Sequence, residues 1–140
     1  MQEKHRSVVK TRVLIVEDEI ITAMSLQHLL ELWGYVTCGQ ATSGREAVEK
    51  ADVERPDILL IDVSLSGDIN GIQAAREIRS RLSSPIIFIT GYSDKETMKQ
   101  IQDIEPAGWF VKPVDFDKLK TTLDAIAHKS RGKSGKKKGK

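Results

Sequence analysis

Apolar residues gather in five short runs, separated by longer segments in which they recur every three or four positions. The runs are "VLIV" at 13–16, "YVTCGQA" at 35–41, "ILLIDV" at 58–63, "PIIFIT" at 85–90 and "GWFV" at 108–111. They are rich in β-branched and aromatic residues and bounded by Gly, Pro or Asp, which predicts buried strands. Their spacing leaves room for one helix between each pair.

The intervening segments carry helical spacing. Leu26, Leu29, Leu30 and Trp33 fall at i, i+3, i+4 and i+7, and Gly34 follows as a stop. In "SGREAVEKA", Ser43 is placed to cap, with Glu46 three residues on. Ile72, Ala75, Ile78 and Leu82 form one stripe, which Pro85 ends. Asp94 and Asp115 are candidate caps for the last two helices, the final one carrying Phe116, Leu119, Leu123 and Ile126. Five β-α units with near-continuous apolar strands predict a parallel sheet covered on both faces, a doubly wound α/β domain.

Charge divides the chain. The formal net charge is +2, but residues 129–140, "KSRGKSGKKKGK", hold seven Lys or Arg and no acid. Without them 15 basic residues face 20 acidic ones, a net of −5. The expected organisation is a flexible N-terminal extension at 1–10, a folded domain at 11–128 and a basic disordered tail at 129–140, which has no apolar residues with which to build a core. A flexible polycation binds phosphates without specificity, so contact with nucleic acid or an anionic membrane surface through this tail is one reading. The single cysteine, Cys38, excludes an internal disulfide and a cysteine-cluster metal site. No apolar stretch approaches a membrane span, and "MQEKHRSVVKT" lacks a secretory apolar region. A cytoplasmic protein is the default expectation.

In doubly wound sheets ligands bind beyond the carboxyl ends of the strands. Those ends carry Glu17, Asp18 and Glu19 after the first strand, Asp62 at the third, Thr90 at the fourth and Lys112 at the fifth. Converging carboxylates form a hard-oxygen site suited to magnesium or manganese, with Glu19 the member best explained as a cap. A carboxylate such as Asp62 also serves as a nucleophile toward phosphorus, although binding metal without reacting is its competing role. Lys112 is placed to pair with a carboxylate and then with phosphoryl oxygens. The Thr90 hydroxyl is placed either to donate to a phosphoryl oxygen or to cap a turn. No G-x-G-x-x-G or G-x-x-x-x-G-K-[ST] is present, so neither nucleotide fingerprint applies. His5, His28 and His128 are scattered and read as ordinary surface or partly packed residues.

These residues in this order, with "RPDILLIDVSLSG" and "GWFVKPVDFDKL" around two of them, resemble receiver domains of two-component response regulators over about residues 11–128. The resemblance implies a flavodoxin-like (βα)5 fold with strand order 2-1-3-4-5. It implies Asp62 as phosphoacceptor, and a magnesium or manganese ion at Glu17, Asp18, Asp62 and the main-chain carbonyl of Ser64. Thr90 and Trp109 are the implied switch pair, Lys112 the phosphate-pairing lysine, and Lys112–Pro113 is similar to a bond that is cis in the family. Two departures stand out. The loop "VSLSGDING" lacks the common Met-Pro and is one residue longer, with Gly67 to accommodate it. Trp109 stands in place of the usual Tyr or Phe.

The function implied is that of a stand-alone receiver. It would accept a phosphoryl group from a sensor histidine kinase or histidine phosphotransfer protein. It would then change the surface of helix four, strand five and helix five toward a downstream protein or a second copy of itself. It would be a switch and not a turnover enzyme. A nucleic-acid-binding regulator acting through the tail is the alternative. A magnesium phosphohydrolase of the haloacid dehalogenase type is disfavoured, because Ser64 stands where that family needs a second aspartate.

Overall fold

The computed structural model describes residues 10–139, with side chains described through residue 129. Its elements are β1 (Arg12–Val16), α1 (Ile20–Leu32), β2 (Val36–Ala41), α2 (Gly44–Glu54), β3 (Ile58–Asp62), α3 (Gly71–Arg79), β4 (Ile86–Thr90), α4 (Lys95–Asp103), β5 (Gly108–Val111) and α5 (Phe116–Gly139). The five strands form one sheet in the order β2-β1-β3-β4-β5, with every neighbouring pair parallel. This is the doubly wound arrangement expected from the sequence.

Strand periodicity explains why the apolar runs are continuous. Successive side chains point to opposite faces. Val13, Ile15, Ile58, Leu60, Ile87 and Ile89 pack beneath α1 and α5, with Ala23, Leu26, Leu30, Leu119 and Leu123. Leu14, Val16, Leu59, Ile61, Ile86 and Phe88 face the other way, onto Ala47, Val48 and Ala51 of α2, Ile72, Ala75 and Ile78 of α3, and Ile101 of α4. Both faces are covered, so no strand position in the centre tolerates a polar residue until the strand ends.

Side-chain caps fix the starts of α2 to α5, whereas α1 has none. Ser43 accepts from the Glu46 amide, and Asp94 from the Thr97 amide. Asp115 accepts from the amides of Asp117 and Lys118. Asn70 and Gln73 form a reciprocal capping box at α3. The Glu46 side chain reaches the Thr42 amide, one residue earlier than a capping box with Ser43 requires.

At the carboxyl-terminal end, α5 is helical through Gly139, across most of the segment expected to be a disordered tail. A helix already docked by Leu119 and Leu123 adds further turns without a second nucleation cost. The expected N-terminal extension lies outside the described residues apart from Lys10. Among the described residues, no helix is long and apolar enough to cross a membrane.

Candidate functional site

Parallel strands end together at one edge of the sheet, and the loops after β1, β3, β4 and β5 meet there. Pairing continues just past the strands: the Glu17 amide donates to the Ala41 carbonyl, the Val63 amide to Ile89, and the Lys112 amide to Thr90. These bonds hold the strand-end side chains in register. Asp62, the last residue of β3, is only 4% exposed, although it carries the carboxylate that β3 delivers to the mouth.

Burying that charge requires partners. The Ser64 amide donates to Asp62 Oδ1 at 2.8 Å, and Lys112 Nζ donates to Asp62 Oδ2 at 3.1 Å. Burial depresses the Lys112 ammonium, but its hydrogen bond and ion pair with Asp62, helped by Glu17, outweigh that and raise its pKa above the ordinary lysine value. The Lys112–Pro113 bond is cis. Glu17 is also buried, at 2% exposure, and its Oε2 accepts from the Glu19 amide at 3.0 Å. Burial, with the negative charge of Asp62 beside it, pushes the Glu17 carboxyl up to about 7.

Glu17, Asp18 and Asp62 each offer a carboxylate oxygen within 4.8 Å of the others, a spacing at which one cation reaches all three. The donor set is entirely hard oxygen, which fits magnesium or manganese. Burial of Glu17 beside Asp62 disfavours two bare negative charges there, a cost that a bound cation would offset. Glu19 occupies the N-cap position of α1, but its side chain makes no cap bond as a capping role would require; it accepts from the Thr22 hydroxyl.

Asp18 faces a residue that sequence reasoning did not single out. Ser66 donates to Asp18 Oδ2 from its amide at 3.2 Å and from its hydroxyl at 3.0 Å. Burial raises the Asp18 carboxyl, and the bonds it accepts, those from Ser66 foremost, together outweigh that and leave its pKa below the usual aspartate value. The one-residue excess in the 63–71 loop was the available signal, since an added residue there has to go somewhere near the mouth.

Thr90 is fully buried, but its hydroxyl is committed elsewhere. It donates to the Tyr92 carbonyl and accepts from the Tyr92 amide, each at 3.0 Å. This is the turn-capping role weighed above, and Thr90 makes no bond to Asp62 here. Trp109 stands on β5 opposite Phe88 and is 42% exposed, with Val111 and Tyr92 also exposed nearby. The two described histidines, His28 and His128, are both exposed and away from this cluster.

Residues 13–124 match the response regulator receiver domain. The chain belongs to that family. Among curated relatives, the receiver is 34% identical over 125 residues to the transcriptional regulatory protein PdtaR of Mycobacterium tuberculosis, covering 89% of this chain and 60% of that protein. It is 36% identical over 118 residues to the transcriptional regulatory protein ZraR of Escherichia coli K12, covering 83% of this chain and 26% of that one. The receiver therefore spans less than two thirds of both relatives. Among solved structures it superposes on the signal receiver domain of a modulated diguanylate cyclase from Desulfovibrio desulfuricans G20, with a TM-score of 0.81 at 37% identity, covering 89% of this chain and 99% of that one. It is also similar to the Vibrio cholerae chemotaxis protein CheY4, with a TM-score of 0.75 at 29% identity, covering 84% and 99%.

Proposed function

We propose that this receiver is a phosphoryl-accepting switch in which Asp62 takes the phosphoryl group from a phosphohistidine on a sensor kinase or a histidine phosphotransfer protein. The observation that carries the reading is the buried Asp62 carboxylate, paired on one side with Lys112 and lying within 4.8 Å of Glu17 and Asp18 on the other. Glu17, Asp18 and Asp62 would hold magnesium or manganese, with the Ser64 carbonyl as a further ligand. When bound, the ion offsets the negative charge of the phosphoryl oxygens against the carboxylates.

In the transfer, an Asp62 carboxylate oxygen attacks phosphorus. The new O–P bond forms as the donor's N–P bond breaks, and the electron pair returns to the donor imidazole. Lys112, already against Asp62 Oδ2, then pairs with a phosphoryl oxygen. Thr90 would turn its hydroxyl from Tyr92 to the acyl phosphate, releasing the turn after β4. Phosphorylation thereby favours one of two states of the α4–β5–α5 surface, where Tyr92, Trp109 and Val111 are exposed to a downstream partner. The domain assists only its own phosphorylation and dephosphorylation and turns over no other substrate.

The direct test is intact mass after incubation with magnesium and acetyl phosphate. A gain of one phosphoryl group that requires magnesium and is absent in Asp62→Asn supports the reading. No gain in a preparation where a control receiver is modified counts against it.

A further inference from the structure

The loop between β3 and α3 is held by contacts to the core, to α2 and to Asp18. Val63 and Leu65 point into the core while Ser64 and Ser66 point out, so the chain leaves β3 in extended alternation. Gly67 then turns with φ +109°, a conformation that L side chains rarely adopt. Beyond the turn, Asp68 accepts from Arg45 Nε of α2 at 3.1 Å, and Arg45 Nη1 lies 3.6 Å from Glu77 of α3. Ile69 packs so closely on Gly44 that a methyl group there would overlap its side chain and carbonyl. The loop is thus anchored on both sides of Ser66, by Leu65 before it and by Asp68 and Ile69 after it.

What this anchoring places at Asp18 is one residue donating twice. The amide and the hydroxyl of Ser66 both donate to Oδ2, across a separation of 48 residues. With Oδ2 committed to the loop, Oδ1 is the Asp18 oxygen not used by Ser66. We infer that Ser66 is a positioning residue for the cation site, holding the Asp18 carboxylate in one orientation from the β3–α3 loop. Partners that orient a metal's ligands in this way are worth about 10–100-fold in metal affinity. The inference rests on the proposed receiver function, because it needs a cation at Glu17, Asp18 and Asp62. It adds a role for the β3–α3 loop, which brings a donor from outside the acidic cluster to one of its members.

The test is a calorimetric titration of the unphosphorylated full chain with magnesium chloride, comparing wild type with Ser66→Ala and Ser66→Thr. Ser66→Ala removes the hydroxyl bond and keeps the amide; Ser66→Thr restores the hydroxyl. The expected result is a dissociation constant about 10-fold weaker for Ser66→Ala and close to wild type for Ser66→Thr. In acetyl phosphate reactions, Ser66→Ala should need more magnesium for half-maximal rate, yet reach the wild-type rate at saturation. Equal or tighter binding by Ser66→Ala overturns the inference, as does equal weakening in Ser66→Thr. If wild type itself binds no magnesium, the underlying receiver reading of the acidic cluster falls first, and that outcome is separate from a failure confined to the variants.

Discussion

At the residue scale, the site is a set of carboxylates kept together against their own repulsion. The Glu17 carboxyl shows the cost most clearly, since burial beside Asp62 raises it from an ordinary 4.5 to about 7. The folded protein therefore holds this proton more tightly than the unfolded chain does. Glu17 favours the folded state fully below pH 4.5, and that contribution is lost as the pH rises through about 7. Thermal unfolding without magnesium should accordingly give a lower midpoint at pH 8 than at pH 5, with a smaller difference in Glu17→Gln. A midpoint equally pH-dependent in the variant would assign the effect to other groups. Asp62, Lys112 and the acidic pair stood out in the sequence because charges at the ends of apolar runs are unusual enough to demand a partner. Ser66 did not stand out. An exposed serine in a polar loop has no periodicity to betray it, and its contact with Asp18 spans 48 residues of sequence.

At the scale of elements, the strands and helices were readable because each obeys one period throughout. Leu26 and Leu30 of α1 do face the core, as their spacing predicted. The spacing did not reveal that α1 is also apolar on its outer side, where Ile20, Ile21, Met24 and Leu32 are 60–80% exposed. Ile20 and Ile21 directly follow the acidic trio, so under the proposed function this face is expected to meet a protein phosphodonor that approaches Asp62. This face suits a partner helix with an apolar surface. Ile21→Lys should slow phosphotransfer from a protein donor at least tenfold while leaving acetyl phosphate reactivity unchanged. Equal slowing with both donors would show damage to the site instead.

The junction between β3 and α3 depends on a different constraint. Gly71 donates its amide to the Val63 carbonyl, and a methyl group at its Cα would overlap the Asp62 carbonyl. Backbone has no room to yield as a flexible side chain does. Gly71→Ala is expected to cost about 1–3 kcal/mol of stability by overpacking, measured by urea unfolding, and to reduce acceptance by Asp62. A neutral effect on both would mean that α3 shifts without disturbing β3.

For the whole molecule, two cores on opposite faces of one sheet leave a single rim where polar groups gather. The strand order brings β1, β3, β4 and β5 side by side, so residues far apart in sequence meet at that rim. Fold class and the rim's membership follow from the alternation of apolar runs and helical stripes. The fate of the Thr90 hydroxyl does not, because capping the Tyr92 turn and reaching Asp62 are both open to the same threonine. Nor does the length of α5, since its lysine-rich end has no apolar stripe by which to recognise a helix. The proposed switch requires an Asp62 carboxylate oxygen as the nucleophile toward phosphorus, rather than a hydroxyl of Ser64, Ser66 or Thr90.

The most direct measurement is borohydride reduction of the phosphorylated protein followed by peptide mass mapping. An acyl phosphate on Asp62 is reduced to homoserine, and the account predicts that change at position 62 alone. A phosphoryl group that survives reduction, carried as an ester on Ser64, Ser66 or Thr90, would contradict it.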